Sequence, residues 1–172
     1  GGIDILGPLG KGFTMPKGGR VLIAGGGVGN APLYYLARKL ADAGCDITFI
    51  YGARSREYLY LPDLYREAVS RLIISTDDGS EGAKGLVTDI ASDLLGKERF
   101  NMIYTCGPAP MMKALAGIAG TTPIEVSVEN YFGCGIGLCS GCTIETAEGR
   151  KRACIDGPVF NGASINWEAM PD

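Results

Sequence analysis

Cys134, Cys139, Cys142 and Cys154 follow one another at C-x4-C-x2-C-x11-C within the stretch E-N-Y-F-G-C-G-I-G-L-C-S-G-C-T-I-E-T-A-E-G-R-K-R-A-C. Thiolates at these intervals suit an iron–sulfur core, and the first three spacings are those of a plant-type [2Fe-2S] centre. Such a core is small, so the backbone must curl around it, which the glycines at 133, 135, 137 and 141 permit. The fourth thiol is expected to arrive on a hairpin. Residues 143–146 and 151–153 read as short strands about the turn residues Glu148 and Gly149, which sets Cys142 roughly opposite Cys154. Two other uses of four cysteines compete. Structural zinc sites favour paired C-x2-4-C knuckles, and only Cys139 and Cys142 form one here; disulfides suit small secreted frameworks better than thiols bunched in one glycine-rich loop. Arg150, Lys151 and Arg152 lie beside Cys154. They read either as charges that favour an electron-rich core or as a solvated hairpin tip.

A second group of residues suits a dinucleotide. R-V-L-I-A at 20–24 is an apolar run, G-G-G-V-G-N-A-P at 25–32 is a glycine turn, and L-Y-Y-L-A-R-K-L-A after it has helical spacing. In this strand–turn–helix setting Gly25, Gly26, Gly27 and Gly29 let backbone amides approach a pyrophosphate, and the helix starting near Asn30 and Pro32 directs its positive end at it. Gly27 and Gly29 are expected where a Cβ would intrude on the pyrophosphate, so valine at Gly29 would weaken nucleotide binding and leave a metal core untouched. The pattern departs from G-x-G-x-x-G by ending in proline, and a purely structural tight turn would look the same.

D-I-T-F-I-Y at 46–51 reads as the second strand. It lacks the acidic residue that ordinarily receives an NAD ribose; Arg54, Ser55 and Arg56 offer donors to ribose hydroxyls or a phosphate instead, unless they form a solvated basic loop. A helix interrupted by Pro62 is expected over 57–70 and a third strand over 71–75. In the polar loop that follows, Asp77 and Asp78 either accept bonds from adenine or ribose or simply make a turn. An amphipathic helix over 86–95 and a fourth strand over 101–105 lead into C-G-P-A-P-M-M, a second strand-to-helix corner. Cys106, Gly107, Pro108 and Met111 fall at this corner, with Cys106 either near a nicotinamide or a small buried hydrophobe. Ligands of open parallel sheets sit beyond the carboxyl ends of the strands, so both corners can face one site. Strand 124–128 is expected to close the sheet, the tail 156–167 to wrap the cysteine segment, and Cys45 to be structural.

The 172 residues, 46% hydrophobic, accommodate one sizeable domain with a small appendage. A net charge of −3 gives no basic footprint for nucleic acid, and no apolar run reaches the length of a membrane span. The sequence has no histidine, which removes histidine triads, Rieske ligation and most catalytic zinc sites while leaving redox chemistry by a bound cofactor. Six cysteines suit a reducing cytoplasm, where thiols hold metal.

Four stretches then carry a resemblance: G-P-L-G-K-G-F at 7–13, A-G-G-G-V-G-N-A-P-L at 24–33, C-G-P-A-P-M at 106–111, and E-N-Y-F-G-C-G-I-G-L-C-S-G-C with C-I-D-G-P-V-F. Together they resemble the electron-transfer subunits of class 1B dihydroorotate dehydrogenase, within the ferredoxin-reductase superfamily. The resemblance implies an α/β fold: an open parallel-sheet NAD-binding domain of ferredoxin-reductase type over 14–125, then a small [2Fe-2S] cluster lobe with a β-hairpin over 126–172. Residues 1–13 would be the linker from an N-terminal barrel that holds most of the FAD. It implies [2Fe-2S], NAD(H) and FAD as cofactors, and NADH over NADPH. The implied partner is an FMN-containing catalytic subunit, in a cytoplasmic hetero-oligomer that turns dihydroorotate into orotate for pyrimidine biosynthesis, with no nucleic acid or membrane involved and no acid or base supplied by this chain. Redox chemistry points to flavin as well. A nicotinamide gives two electrons as hydride and a cluster takes one at a time, so a group able to do both must stand between them. Sulfhydrogenase gamma subunits and the small subunit of NADH-dependent ferredoxin:NADP oxidoreductase share these motifs, which leaves a hydrogenase or ferredoxin partner as an alternative. A cluster-based redox sensor is an alternative of another class.

Overall fold

The computed structural model describes residues 2–170, so positions 1, 171 and 172 of the expected linker and cluster segments lie outside the described residues. The first strand, β1 (Gly19–Gly26), is buried from Val21 onward, and its side chains alternate between two apolar layers. Val21 and Ile23 enter one layer, Leu22 and Ala24 the other. A strand covered on both faces reads as an unbroken apolar run and belongs in a parallel sheet. β2 (Cys45–Ala53) and β5 (Met102–Cys106) flank β1 in parallel, β3 (Arg71–Thr76) joins β2, and β6 (Ile124–Ser127) joins β5. With β4 (Ala83–Lys84) and β9 (Val159–Asn161) at the two edges, the order is β4-β3-β2-β1-β5-β6-β9.

Helix α1 (Asn30–Asp42) buries Leu33, Leu36, Ala37 and Leu40, a stripe at helical spacing, against the layer of Val21 and Ile23. Each of these leucines contributes about 2 kcal/mol by leaving water. Helix α2 (Pro62–Ala68) adds Tyr65 to that layer, while α3 (Val87–Lys97) and α4 (Ala109–Ile118) cover the opposite face through Val87, Ala91, Leu94, Met112 and Leu115. The chain leaves β1 for one face and β5 for the other. The sheet order therefore reverses between these two strands, and a crevice opens at their carboxyl ends.

The hairpin of β7 (Thr143–Thr146) and β8 (Gly149–Arg152) forms a separate two-stranded sheet. Its apolar side is not separate: Cys142, Ile144, Ala153, Cys154 and Ile165 belong to the same core cluster as Leu22, Ala24 and Ile103.

Two expectations about the elements are corrected. Pro62 begins α2 instead of interrupting a longer helix, since at the first helical position its missing N–H costs nothing; residues 56–58 make only one 3-10 turn. β6 does not close the sheet, because Val159–Asn161 of the turn-rich tail pairs antiparallel beyond it. The expected limit between 125 and 126 falls inside β6. Upstream, residues 2–12 are exposed, although Lys11 N donates to Gly157 O; the chain attaches further where Phe13 sets its ring edge-on to Tyr104 at 5.5 Å, Tyr104 Oη donates to Thr14 O at 2.7 Å, and Thr14 N donates to Glu125 Oε2 at 2.8 Å.

Candidate redox site

A cleft of about 870 Å3 occupies the crevice between the ends of β1 and β5. Its floor is made by two glycine corners, Gly26, Gly27 and Val28 after β1 and Gly107, Pro108 and Met111 after β5. Gly52, Ala53, Arg54, Tyr58 and Asp77 line the side toward β2 and β3; Glu129, Asn130 and Tyr131 line the side toward β6. The strand order explains both walls, because these residues lie at or just beyond the carboxyl ends of β1, β2, β3, β5 and β6. Gly27 holds φ +56° with open space where a Cβ would stand. Met111 bridges the corners, its sulfur 2.7 Å from the position a Cβ would take at Gly26.

Several expected nucleotide contacts stand behind this surface instead. Asn30 is 1% exposed and donates Nδ2 to Gly27 O at 2.9 Å and to Gly52 O at 3.1 Å, so it ties the turn after β1 to the end of β2. Gly25 is the backing for that amide: a Cβ there would stand 2.9 Å from Asn30 Cγ. At Gly29 a Cβ would stand 2.5 Å from the Cys106 carbonyl carbon and 2.6 Å from Gly107 N. Its hydrogen is required for the two corners to touch, and the expectation that it faces a pyrophosphate is corrected. Pro32 is exposed on the first turn of α1, outside the lining. Ser55 accepts from Tyr58 N in the 3-10 turn. Asp78 Oδ1 accepts from Ser80 N at 3.0 Å and Ser80 Oγ at 2.6 Å, bonds that hold its carboxyl below the usual range; Asp77, one residue earlier, lines the cleft instead. Cys106 is 2% exposed and does not line the cleft. Burial pushes its thiol up to about 11, with the Glu129 charge adding to the effect, so it stays a neutral buried group.

The cysteine loop turns its amides toward sulfur. Leu138 N and Cys139 N lie 3.2 and 3.4 Å from Cys134 Sγ, Gly141 N 3.4 Å from Cys139 Sγ, and Cys154 N 3.4 Å from Cys142 Sγ. Positive φ at Gly137 gives the loop its curl, and a Cβ there would press on Ile155 Cδ1 at 2.7 Å. The hairpin ladder runs one residue past its strands, with Ala153 N donating to Cys142 O at 3.0 Å, which brings Cys154 beside Cys142 as the spacing predicts. Cys142 and Cys154 are buried, Cys134 is half-buried and Cys139 exposed. Backbone amides of Cys139 and Ile136 lower the Cys134 thiol to about 6; burial first, then the Cys142 thiol, raises that of Cys154.

Among the described residues, no three ligating side chains stand close enough to hold one metal ion. The four thiols act on one another: Cys139 on Cys134, and both Cys142 and Cys134 on Cys154. Soft donors with amides aimed at them fit a two-iron, four-thiolate core. The basic tip answers differently from a charge reservoir. Arg150 pairs with Glu145, Lys151 with Glu148 and Arg152 with Asp156, and Arg152 Nη1 donates to Gly137 O at 2.6 Å, stapling the cysteine loop to the hairpin.

The lowered thiol makes a test on metal-free protein. Iodoacetamide at neutral pH is expected to alkylate Cys134 first, with a rate that drops as the pH is lowered through about 6, while Cys106 resists until the chain unfolds. Peptide mass spectrometry over a pH series reads this, and preferential labelling of Cys106 would contradict it.

Nothing in the spacing of Glu129, Asn130 and Tyr131 marks them as cleft residues. They reach it because β6 lies next to β5. Tyr58 and Met170 were likewise outside any motif, although both line the cleft.

A parallel sheet with a crevice at its switch point, joined to a loop of four thiols, is the arrangement of a nucleotide-binding domain followed by a cysteine segment. Residues 22–117 match the family described as oxidoreductase NAD-binding domain, and residues 129–166 match the iron-sulfur cluster binding domain of dihydroorotate dehydrogenase B. The chain belongs to the oxidoreductase NAD-binding domain family. It is 43% identical over 167 residues to a probable dihydroorotate dehydrogenase B (NAD(+)) electron transfer subunit of Methanocaldococcus jannaschii, with 96% of this chain and 63% of the relative covered. It is 37% identical over 173 residues to the electron transfer subunit of Desulforamulus reducens, covering 96% and 66%. The chain thus spans 63 to 66% of the length of these curated relatives. Among solved structures, a chain of an NADH-dependent reduced ferredoxin-NADP oxidoreductase superposes with a TM-score of 0.87 at 36% identity, over 96% of this chain and 60% of that one. No helix among the described residues is long and apolar enough to cross a membrane.

Proposed function

We propose that this chain is the nucleotide- and cluster-binding part of a dihydroorotate dehydrogenase B electron-transfer subunit. It passes electrons between NAD(H), FAD and a [2Fe-2S] cluster, to or from the FMN of a catalytic subunit that converts dihydroorotate to orotate in the cytoplasm. The observation that carries this reading is the continuity of the two sites: residues 129–131 form a wall of the cleft and lead, two residues later, into the cysteine loop. In this reading residues 14–125 serve the nucleotide and 126–170 the cluster, sharing β6. Residues 1–13 serve as the linker from a barrel that holds most of the FAD.

Within the cleft Gly27 and the first amides of α4 face the pyrophosphate, and Arg54 and Asp77 face the adenosine ribose. Cys134, Cys139, Cys142 and Cys154 hold the irons. Flavin, when bound, supplies the exchange between hydride and single electrons.

The test uses the full subunit with its FMN-containing catalytic partner under anaerobic conditions. Dihydroorotate and NADH are each expected to bleach the visible absorbance of the cluster, with NADPH poorer than NADH because Asp77 repels a 2′-phosphate. Asp77→Ser narrows that gap and Arg54→Ala widens it. A clear NADPH preference with no response to dihydroorotate would assign the chain to the ferredoxin-NADP oxidoreductase branch, the reading that the 36% identical solved structure favours. A cluster that responds to oxidants but to no nucleotide would leave a redox sensor.

A further inference from the structure

Asn130 stands half-buried in the cleft wall and uses both ends of its side-chain amide on the cysteine segment. Nδ2 donates to Thr143 O at 3.3 Å, and Oδ1 accepts from Tyr131 N at 2.7 Å. Thr143 follows Cys142, opens the hairpin opposite Arg152, and donates its own hydroxyl to Ser140 O at 2.6 Å. Thr143 is therefore joined to three parts of the cysteine site: to Cys142 by the peptide bond, to Ser140 by its hydroxyl, and to Ala153, next to Cys154, through the ladder bond that Cys142 O accepts from Ala153 N. One residue before the wall begins, Val128 N donates to Pro158 O at 3.0 Å, which pins the connector to the sheet. Between that pin and Thr143, the Asn130 amide spans from the cleft to the cluster ligands.

We propose that Asn130 is a positioning residue that couples nucleotide occupancy of the cleft to the electronic state of the cluster. The proposal rests on the cleft's being the nucleotide site and the thiols' being the cluster ligands, as argued above. A nicotinamide nucleotide pressing on the 129–131 wall shifts the Asn130 amide, and with it the Thr143 carbonyl and the Cys142 peptide. A change in the amides and dipoles around ligand sulfur alters the energy of adding an electron to the cluster. Linkage makes the effect reciprocal, so the oxidation state of the cluster must change nucleotide affinity by the same factor.

The experiment needs neither flavin nor partner. The chain with its reconstituted cluster is titrated with NAD+ in the oxidised and dithionite-reduced states, and the reduced cluster is examined by electron paramagnetic resonance with and without saturating NAD+. The natural chain is expected to show a nucleotide-dependent shift of the resonance and an affinity ratio between the two states of about fivefold or more. Asn130→Asp keeps the acceptor for Tyr131 N but cannot donate to Thr143 O, and Asn130→Leu loses both bonds. Both variants are expected to retain the cluster and bind NAD+, with the spectral shift gone and the affinity ratio reduced to unity. Arg150→Ala, at the hairpin tip, keeps the shift. A purely structural asparagine would change stability or iron content and leave the nucleotide-dependent shift in place. The proposal is overturned if the shift survives in both variants, if both lose the cluster, or if the natural chain binds NAD+ with no shift. Failure of the natural chain to bind NAD+ at all would overturn the nucleotide-site reading with it.

Discussion

Serine in place of any one of Cys134, Cys139, Cys142 or Cys154 is expected to take the iron content from about two per chain to none and to abolish the visible absorbance. The hydroxyl of serine stays protonated at neutral pH and is a hard donor, a poor substitute for soft thiolate on iron. The structure further separates the four by what happens to the metal-free protein. Cys142 and Cys154 are 2% and 6% exposed, inside the core with Ile144 and Ile165, so a hydroxyl there is also left without water, at a cost of about 1–3 kcal/mol if no new hydrogen bond forms. Cys139 is exposed and Cys134 half-buried, so serine at either should leave the melting temperature of the metal-free chain nearly unchanged. Cys45→Ser keeps the cluster, because Cys45 is buried at the start of β2, on the layer opposite the hairpin, where its thiol lies 3.8 Å from Pro16 O. Iron assay, absorbance and thermal melts of the metal-free proteins read out these effects together. A full cluster in any of the four variants, or its loss at Cys45→Ser, would mean the ligand set is misassigned.

The two chemical centres were legible in the sequence for different reasons. The cysteine hairpin is local: Cys142 and Cys154 meet across a turn whose strands were placed to within two residues, so spacing alone carried the geometry. The parallel strands were legible because burial on both faces writes unbroken apolar runs such as V-L-I-A. The direction a loop residue faces was not legible. Gly29 reads as a phosphate glycine until the Cys106–Gly107 corner, distant in sequence, is laid against it. Asp77 and Asp78 are adjacent, and Asp78 is held by Ser80 N and Oγ while Asp77, whose amide donates to Ala53 O, lines the cleft. β9 has three residues, too few for any periodicity, and forms because the tail returns to the open edge of β6. Short-range pattern fixes elements; sidedness comes from non-local contacts.

Gly29→Val is the substitution on which the sequence expectation and the structure disagree most. If this glycine served the pyrophosphate, valine would weaken NADH binding and leave the cluster and the fold alone. The structure instead puts its Cβ against the carbonyl of Cys106 and the amide of Gly107, which are backbone groups at the end of a central strand hydrogen-bonded on both sides. Neither can retreat without disturbing β5, and two further methyl groups make the crowding worse. Overpacking of this kind costs about 1–3 kcal/mol or more, with the rigid backbone placing it at the upper end. For a chain of this size, each kcal/mol lowers the melting temperature by roughly 2–4 °C, so a fall of about 6–12 °C is expected. The cluster should suffer as well, because Ile103 on the same strand packs in one core with Cys142 and Cys154. Gly27→Ala supplies the contrast: its Cβ meets nothing within 4 Å, so the left-handed backbone adds strain of only about 1–2 kcal/mol while the methyl group projects where the nucleotide approaches. Thermal melts, iron content and NAD+ affinity of the two variants should therefore divide, with Gly29→Val losing stability and iron and Gly27→Ala losing mainly affinity. A Gly29→Val protein that melts like the natural chain and loses only affinity would restore the pyrophosphate role and show that the two corners do not press together in solution.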